Sequence, residues 1–118
     1  MAAPLKWFPL YVDDIQNDEA YRLLTPEERG IFLDLLCWQW RETSIPANEQ
    51  VLRDGLGLKV RYYRALTRVL KGKFISNGHE GRLVNPRLAE VYVEQIGKSD
   101  RARAAALAKH RGRKPDAG

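Results

Sequence analysis

Cations that recur along one stretch are the residues of this 118-residue chain best suited to do chemistry. Residues 59 to 71 read KVRYYRALTRVLK. At about 100° per residue on a helical wheel, the apolar residues fall on one arc and the cations on the opposite arc. The cationic arc holds Arg61, Arg64, Arg68 and Lys71.

Arginine can form paired hydrogen bonds to guanine, and lysine or arginine can neutralise phosphates. The pattern therefore predicts a helix that reads DNA through Arg61, Arg64 and Arg68, with Lys59 and Lys71 flanking the backbone. An equally weighted alternative is a solvated face of an amphipathic helix, paired with acids elsewhere in the chain. Tyr62 and Tyr63 could stack on bases, but their place on the apolar arc favours core packing.

Two further groups of residues are candidates for contacting nucleic acid. A predicted β-hairpin, residues 73 to 84, carries polar residues that could meet a groove or a phosphate: Lys73, Asn77, His79 and Arg82. Asn77 and His79 are equally suited to forming the turn. The C-terminal residues 98 to 118 carry cations that could add salt-dependent affinity without sequence preference: Arg101, Arg103, Lys109, Arg111, Arg113 and Lys114. A solubilising extension or a linker to a partner is the alternative for this tail.

The sequence contains few residues of the types and spacings that catalysis requires, so we expect neither an enzyme nor a cofactor. His79 and His110 have no partner at a metal-ligand spacing, so no metal site is expected. Paired acids occur at residues 13 to 14 and 27 to 28, where they suit the positive end of a helix dipole. The single cysteine, Cys37, is expected in the core, and its isolation excludes an internal disulfide framework.

The element that must position these cations is a central helix predicted over residues 25 to 41, TPEERGIFLDLLCWQWR. Thr25 and Glu28 form a capping-box pattern, and Pro26 suits the first helical position. Apolar residues occur all round the helix and leave only Asp34 and Gln39 to face water, so we expect it to be buried on nearly every side.

Shorter elements are predicted around this helix. They comprise an extended aromatic arm at residues 7 to 12, a short helix at 19 to 24, an edge strand at 45 to 46, a helix at 49 to 55 capped by Asn48, and a last helix after Asn85. Leu88, Val91, Tyr92 and Ile96 form the apolar stripe of that last helix, and beyond Gly97 a frayed helix should lead into disorder at residues 115 to 118. Two helices joined by a glycine-containing turn and followed by a hairpin predict a winged helix-turn-helix fold, mainly α, with an N-terminal arm and a basic tail. We assign residues 1 to 97 to this domain and 98 to 118 to the tail.

Charge is distributed unevenly along the chain, whose net charge is +5. Residues 1 to 58 contain five basic and ten acidic side chains, whereas residues 59 to 87 contain eight basic side chains and one acid. This polarity favours a polyanion-binding side. The N-terminal residues lack the pattern of a secretion signal or membrane anchor, so a cytoplasmic location and no membrane partner are expected.

The chain resembles a phage and prophage family of unknown function, the YdaU-like proteins. The resemblance rests on WFPLYVDD at residues 7 to 14, the central helix with Arg41, the step at Ile45 and Pro46, LGLKVRYYRAL at 56 to 66, the hairpin, and KSDRARAAALAKHR at 98 to 111. It implies a winged-helix module similar to the DNA-binding parts of phage replication initiators or organisers. We therefore expect a non-enzymatic protein that binds double-stranded DNA in replication initiation or its control, together with phage or host replication proteins. The alternatives are a protein-interaction module, such as an inhibitor or adaptor of a nucleic-acid machine, and a transcriptional regulator.

Overall fold

Helices dominate the protein, and one small antiparallel sheet completes it. The computed structural model describes residues 6 to 113, and the side chains of residues 6 to 108. The helices are α1 Val12–Gln16, α2 Glu19–Arg22, α3 Pro26–Glu42, α4 Glu49–Leu56, α5 Tyr63–Lys73 and α6 Pro86–Arg113, and a 3-10 turn, Val60–Tyr62, precedes α5. The strands are β1 Ile45–Pro46, β2 Ile75–Ser76 and β3 Arg82–Val84. The disorder expected at residues 115 to 118 lies outside the described residues.

The start of α3 confirms the predicted capping box. The Glu28 N–H donates to Thr25 Oγ1 (3.2 Å), and the Thr25 N–H donates back to Glu28 Oε1 (2.8 Å). These two bonds satisfy donors that the first turn of a helix leaves without partners. The helix is therefore anchored where its sequence indicates, one residue after Thr25.

The prediction that α3 is buried on nearly every side is wrong. Leu33 and Cys37 lie on an exposed face, one turn apart. Gln39, expected in water, is buried: its side-chain amide donates to the Asn85 carbonyl (3.1 Å), and its oxygen accepts from the Asn85 N–H (2.7 Å). Because these bonds satisfy the amide, Gln39 can enter the core, and it ties α3 to the start of α6.

The core lies where α3 meets α4, α5 and the sheet. Its fully buried side chains come from all of these elements: Leu35, Ile45, Leu52, Leu66 and Val69. Asn48 caps α4 as predicted, accepting from the Gln50 N–H (2.8 Å) and the Val51 N–H (3.3 Å). Val51, on a different face of α4 from Leu52, is exposed. Gly57, at φ +65°, ends α4 in the left-handed region that glycine adopts without strain.

The basic helix differs from its prediction at both ends. Its first turn is the 3-10 turn Val60–Tyr62, and the α-helix continues through Gly72, where an end was expected, to Lys73. Lys73 consequently belongs to α5 and not to the hairpin. This position gives Lys73 a structural role in place of the predicted contact with DNA.

The sheet confirms the predicted hairpin and edge strand. Its strand order is β1-β3-β2, with both neighbours antiparallel and with Ile45 opposite Leu83 and Ile75 opposite Val84. Gly78 (φ +89°) and Gly81 (φ +75°) supply the left-handed positions of the connection between β2 and β3. The sheet therefore joins the end of α3 to the hairpin that follows α5.

The predicted N-terminal arm lies on the core only in part: Phe8 is half-buried, whereas Trp7, Leu10 and Val12 are exposed. Phe8 packs on Trp40 of α3, with ring centroids 5.2 Å apart, and Tyr92 of α6 contacts the same indole at 5.3 Å. The arm leads into two short helices where one was predicted, because the acids at residues 13 and 14 begin a helix of their own. Asp18 then caps α2 through a bond from the Ala20 N–H (3.0 Å).

The last helix is one continuous element of 28 residues. Asn85 caps it, accepting from the Leu88 N–H (3.0 Å), and Leu88 and Val91 are buried as predicted. The helix passes Gly97 without a break, and all side chains from residue 101 to residue 108 are exposed. No helix within the described residues is both long enough and apolar enough to cross a membrane.

Candidate nucleic-acid interface

The outward face of α5 and of the residues just before it carries five of the predicted DNA-contacting cations. Leu66, Val69 and Leu70 turn one side of the helix into the core. The opposite side is cationic, and its members are all exposed: Lys59, Arg61, Arg64, Arg68 and Lys71. We call these five residues the basic face. Its helical part, from Arg61 to Lys71, extends about 15 Å, at roughly 1.5 Å per residue.

Local contacts differ among the members of the basic face. The Arg61 guanidinium lies over the Tyr62 ring, 4.8 Å from its centroid. Arg68 Nη1 lies 3.3 Å from Glu28 Oε2, although its side chain stays 73% exposed. The side chains of Lys59, Arg64 and Lys71 make no hydrogen bond or ion pair with other described residues. These three are therefore the most available cations of this face.

Glu28 combines two tasks at the edge of the basic face. Its carboxylate accepts from the Thr25 N–H, and it also pairs with Arg68. The bond from the Thr25 backbone lowers the pKa of Glu28; burial opposes this effect, and the Arg68 guanidinium reinforces it. The carboxylate thus stays charged and holds one oxygen towards Arg68, where it competes with any anion approaching that guanidinium.

Arg53 of α4 also belongs near this surface, although the sequence analysis did not select it. Its guanidinium lies over the Tyr63 ring at 4.0 Å, and its Nη2 is 3.7 Å from Glu49 Oε1. The sequence feature that could have indicated the position of Arg53 is its spacing from Glu49, four residues earlier on the same helix, which favours an ion pair. A guanidinium therefore covers one face of each tyrosine, and both rings are half-buried.

Lys73 does not lie with the other predicted contacts. Its side chain is buried, its ammonium pairs with the Asp18 carboxylate, and it lies 5.5 Å from the centroid of the Phe32 ring. Burial would raise the pKa of Asp18, but the Lys73 ammonium and bonds from the backbone of Tyr21 and Ala20 outweigh it, so this pKa is lowered. Lys73 fastens α2 to the end of α5, and its selection as a DNA contact is corrected.

The hairpin residues are mostly engaged within the fold. Asn77 Oδ1 accepts from the His79 N–H (2.8 Å), which is the turn-forming alternative. Arg82 Nε donates to Ser44 Oγ (2.8 Å) and its Nη2 donates to the Ser44 carbonyl (2.9 Å), so this side chain holds β3 to the end of α3. His79, at the exposed tip of the turn, remains open to a partner.

The tail cations stand apart from the basic face. Arg101 and Arg103 are exposed on α6, beyond the part of that helix that packs on the core. The side chains of Lys109, Arg111 and Arg113 lie outside the described residues, as does Lys114. Among the described residues, no group of three or more His, Cys, Asp or Glu side chains is arranged to hold a metal ion.

Comparisons of the chain with family models, curated proteins and solved structures found no match. The basic face and the order of elements that positions it are therefore the features of the molecule that bear on function.

Proposed function

We propose that this chain is a winged-helix protein, of the class that presents its third helix to DNA. In this assignment, α3, α4 and α5 are the three helices, and β2 and β3 form the wing. The order of elements and the pairing of β1 with the hairpin support it. The turn at Gly57 joins α4 to α5 as the turn of a helix-turn-helix does.

Within this class we propose a non-enzymatic protein that binds double-stranded DNA through α5. The observation that carries the proposal is the basic face, five exposed cations opposite a side on which Leu66, Val69 and Leu70 are buried. A helix about 10 to 12 Å wide fits the major groove, where arginine can bond to guanine. Arg61 and Arg64 would contact base edges, while Lys59 and Lys71 would contact phosphates. Arg68 would join them once phosphate displaced it from Glu28.

The biological setting that we propose is phage or prophage DNA replication, in its initiation or control. Its support is the resemblance of the aromatic arm, the central helix and the tail to the YdaU-like proteins. A transcriptional regulator would use the same basic face, and a palindromic target would distinguish the two roles.

Fluorescence anisotropy with a labelled duplex of about 20 base pairs, at 50 and 150 mM salt, tests DNA binding by the full chain. Replacing Arg61 and Arg64 together by alanine should weaken binding at least tenfold, since each lost base contact costs about 1 to 3 kcal/mol. The matched control replaces Arg22 and Arg41, two exposed arginines that are not part of the basic face, and removes the same charge. Equal affinity of these two double variants would contradict the proposed interface.

Glu28→Gln supplies an opposite, gain-of-binding test. Glutamine keeps a side-chain oxygen that can accept from the Thr25 N–H, but it removes the charge that attracts Arg68. We expect DNA affinity to rise about threefold, with a melting temperature within about 3 °C of that of the unmodified chain. Unchanged or weaker binding would show that Arg68 plays no part in the contact.

A protein partner with an acidic surface is the second candidate for the same face. Two exposed apolar side chains near the basic face favour it: Val60, 75% exposed, and Val51 of α4, 44% exposed. A core of apolar contacts within a charged rim is typical of protein interfaces. If no duplex, forked or single-stranded DNA binds at 50 mM salt, this candidate replaces DNA binding.

A further inference from the structure

The outer half of α6 packs against no other element within the part of the chain that the structure describes. Leu88, Val91 and Gln95 are buried in the first three turns, whereas every side chain from residue 101 to residue 108 is exposed. This extension contributes to a long molecule, with extents of 70 × 30 × 25 Å. Isolated helices of such length are marginal in water, and packing is the usual source of their stability.

One face of this helix has the spacing of a coiled-coil seam. We define the outer seam as five residues separated alternately by three and four positions: Val93, Ile96, Asp100, Arg103 and Leu107. That alternation is the a and d pattern of a heptad. Val93 is 70% exposed and Leu107 is 53% exposed, while Ile96 is half-buried. The seam is thus apolar at both ends and charged in the middle.

The charges at the middle of the outer seam are complementary to each other. Asp100 and Arg103 are exposed and pair with none of the residues that the structure describes. If a second identical helix lies antiparallel, with a two-fold axis between residues 101 and 102, each Asp100 faces the other copy's Arg103. The same register sets Ile96 opposite Leu107. A parallel arrangement would instead set like charges against each other at both positions.

We propose that a second copy of this chain binds along the outer seam, antiparallel, to form a two-fold symmetric dimer. Two Asp100–Arg103 pairs fix its register, and Ile96 and Leu107 supply the apolar contacts on either side. Gly97 and Ala104 lie beside the seam, and their small size lets the helices approach closely. The helix dipoles oppose each other in this arrangement, which also favours it.

The length of the seam sets the expected strength of the dimer. From Val93 to Leu107 it covers about four helical turns, or roughly 21 Å. Interfaces of this size fall at or below about 1,200 Å² in total, the low end for specific complexes. We therefore expect monomer and dimer to exchange with a dissociation constant in the micromolar range.

Sedimentation velocity of the full chain, from about 1 to 200 µM, tests the proposal. The unmodified chain should shift from monomer to dimer across this range. Arg103→Asp places acids against acids at the seam and should raise the dissociation constant at least tenfold, as should Asp100→Arg, which places cations against cations. The matched control is Lys98→Asp, which reverses the same charge on the side of α6 opposite the seam.

Mixing the two reversed variants tests whether the charges at positions 100 and 103 act across the interface. The arginine introduced at position 100 of one chain faces the aspartate introduced at position 103 of the other, so the equimolar mixture should recover the affinity that each variant loses alone. The double variant Asp100→Arg with Arg103→Asp should recover it by itself. The single variants test the antiparallel register, because a parallel dimer already sets like charges together at both positions and neither reversal would weaken it. Circular dichroism of each variant checks that α6 remains helical.

A chain that stays monomeric at 200 µM would overturn the proposal. So would a dimer that tolerates Arg103→Asp as well as it tolerates Lys98→Asp, or a double variant that fails to recover. None of these readouts requires DNA, so their outcome is independent of the proposed DNA binding.

Discussion

Asp18 and Lys73 illustrate how a single ion pair changes the role of a residue. The Lys73 side chain is 8% exposed and that of Asp18 38% exposed, so the ammonium has lost most of its water while the carboxylate keeps part of it. A buried ammonium requires a partner, and Asp18 supplies one from a separate helix. The pair joins α2 to α5, so a cation that was predicted to contact DNA instead stabilises the fold.

Asp18→Asn tests this pair through its pH dependence. Asparagine keeps the helix cap but not the charge, so at pH 7 the variant should lose roughly 1 to 2 kcal/mol, a value reduced for the partial exposure of Asp18. The pKa of Asp18 is lower in the folded protein than in the unfolded chain, where it is about 3.9. The ion pair therefore adds fully to the free energy of unfolding above the unfolded-state pKa, and this stabilisation is lost as the pH falls through the folded-state pKa. Urea unfolding at pH 7 and near pH 2.5 should therefore show a difference that closes on acidification.

Asp13→Asn is the control for this comparison, because Asp13 is exposed and forms no ion pair with the described residues. Its effect at pH 7 should be under about 0.5 kcal/mol. The Asp18 variant and the unmodified chain are compared by their free energies of unfolding. If these free energies differed as much at low pH as at pH 7, the loss would come from a packing defect and not from the ion pair.

At the scale of elements, α3 positions α4 through a close contact between an indole and a glycine. A Cβ at Gly55 would lie 2.4 Å from Trp38 Cη2 and 2.6 Å from Trp38 Cζ3. The absence of a side chain at Gly55 lets the two helices meet with the ring between them. This contact sets the position of α4 relative to α3. The turn at Gly57 then sets where α5 begins relative to α4.

Gly55→Ala should consequently destabilise the protein by about 1 to 3 kcal/mol, because the added methyl group requires the ring or the helix to move. Gly30→Ala is the matched change in α3, where nothing lies within 4 Å of the added Cβ. It should stabilise the protein by up to about 1 kcal/mol through helix propensity. Urea unfolding measures both, and effects of the same sign would contradict the assigned contact.

At the scale of the whole molecule, the two ends of the chain are held very differently. Two aromatic contacts join the N-terminal residues to α3: Phe8 packs on Trp40, and the ring centroids of Tyr21 and Phe32 lie 6.0 Å apart. An ion pair joins them to α6, with Arg87 Nε 2.7 Å from Asp14 Oδ2. The outer half of α6 has exposed side chains throughout its described length beyond residue 100. The arm is therefore part of the folded unit, whereas the outer half of α6 is a projecting surface.

Truncation at either end tests this asymmetry by thermal melting at a concentration of about 1 µM. Ending the chain after Gly97 should change the melting temperature by less than about 3 °C, because few core contacts are lost. Removing residues 1 to 24 should lower it by more than about 10 °C, since 1 kcal/mol corresponds to roughly 4 to 8 °C in a domain of this size.

The chain that ends after Gly97 gives a second readout if DNA binding is established. Each lost phosphate contact lowers the slope of log affinity against log salt by about 0.9. A slope equal to that of the full chain would exclude the tail cations from the DNA contact. The outer seam and the tail contacts are thereby tested by separate measurements.

The order and approximate bounds of the elements from α3 to α6 followed largely from the sequence alone, because their signals are local. Thr25 and Glu28 indicate the start of α3, Asn48 and Asn85 indicate helix starts, and the glycines after Asn77 indicate the hairpin. The apolar side of α5 was equally predictable from its period. The predicted end of this helix at residue 71 was wrong, because the low helix propensity of Gly72 is outweighed by the packing of Leu70 and Lys73 on either side of it.

Only the tertiary structure decided which side chains were engaged within the fold. Lys73 pairs with a residue 55 positions away, and Arg68 pairs with one 40 positions away, so neither contact can be read from local spacing. Gln39 enters the core only because the backbone of Asn85 satisfies its amide, and Cys37 is exposed because nothing covers that side of α3 among the described residues. Helix periodicity indicates which residues share a face, but burial depends on what other parts of the chain bring against that face.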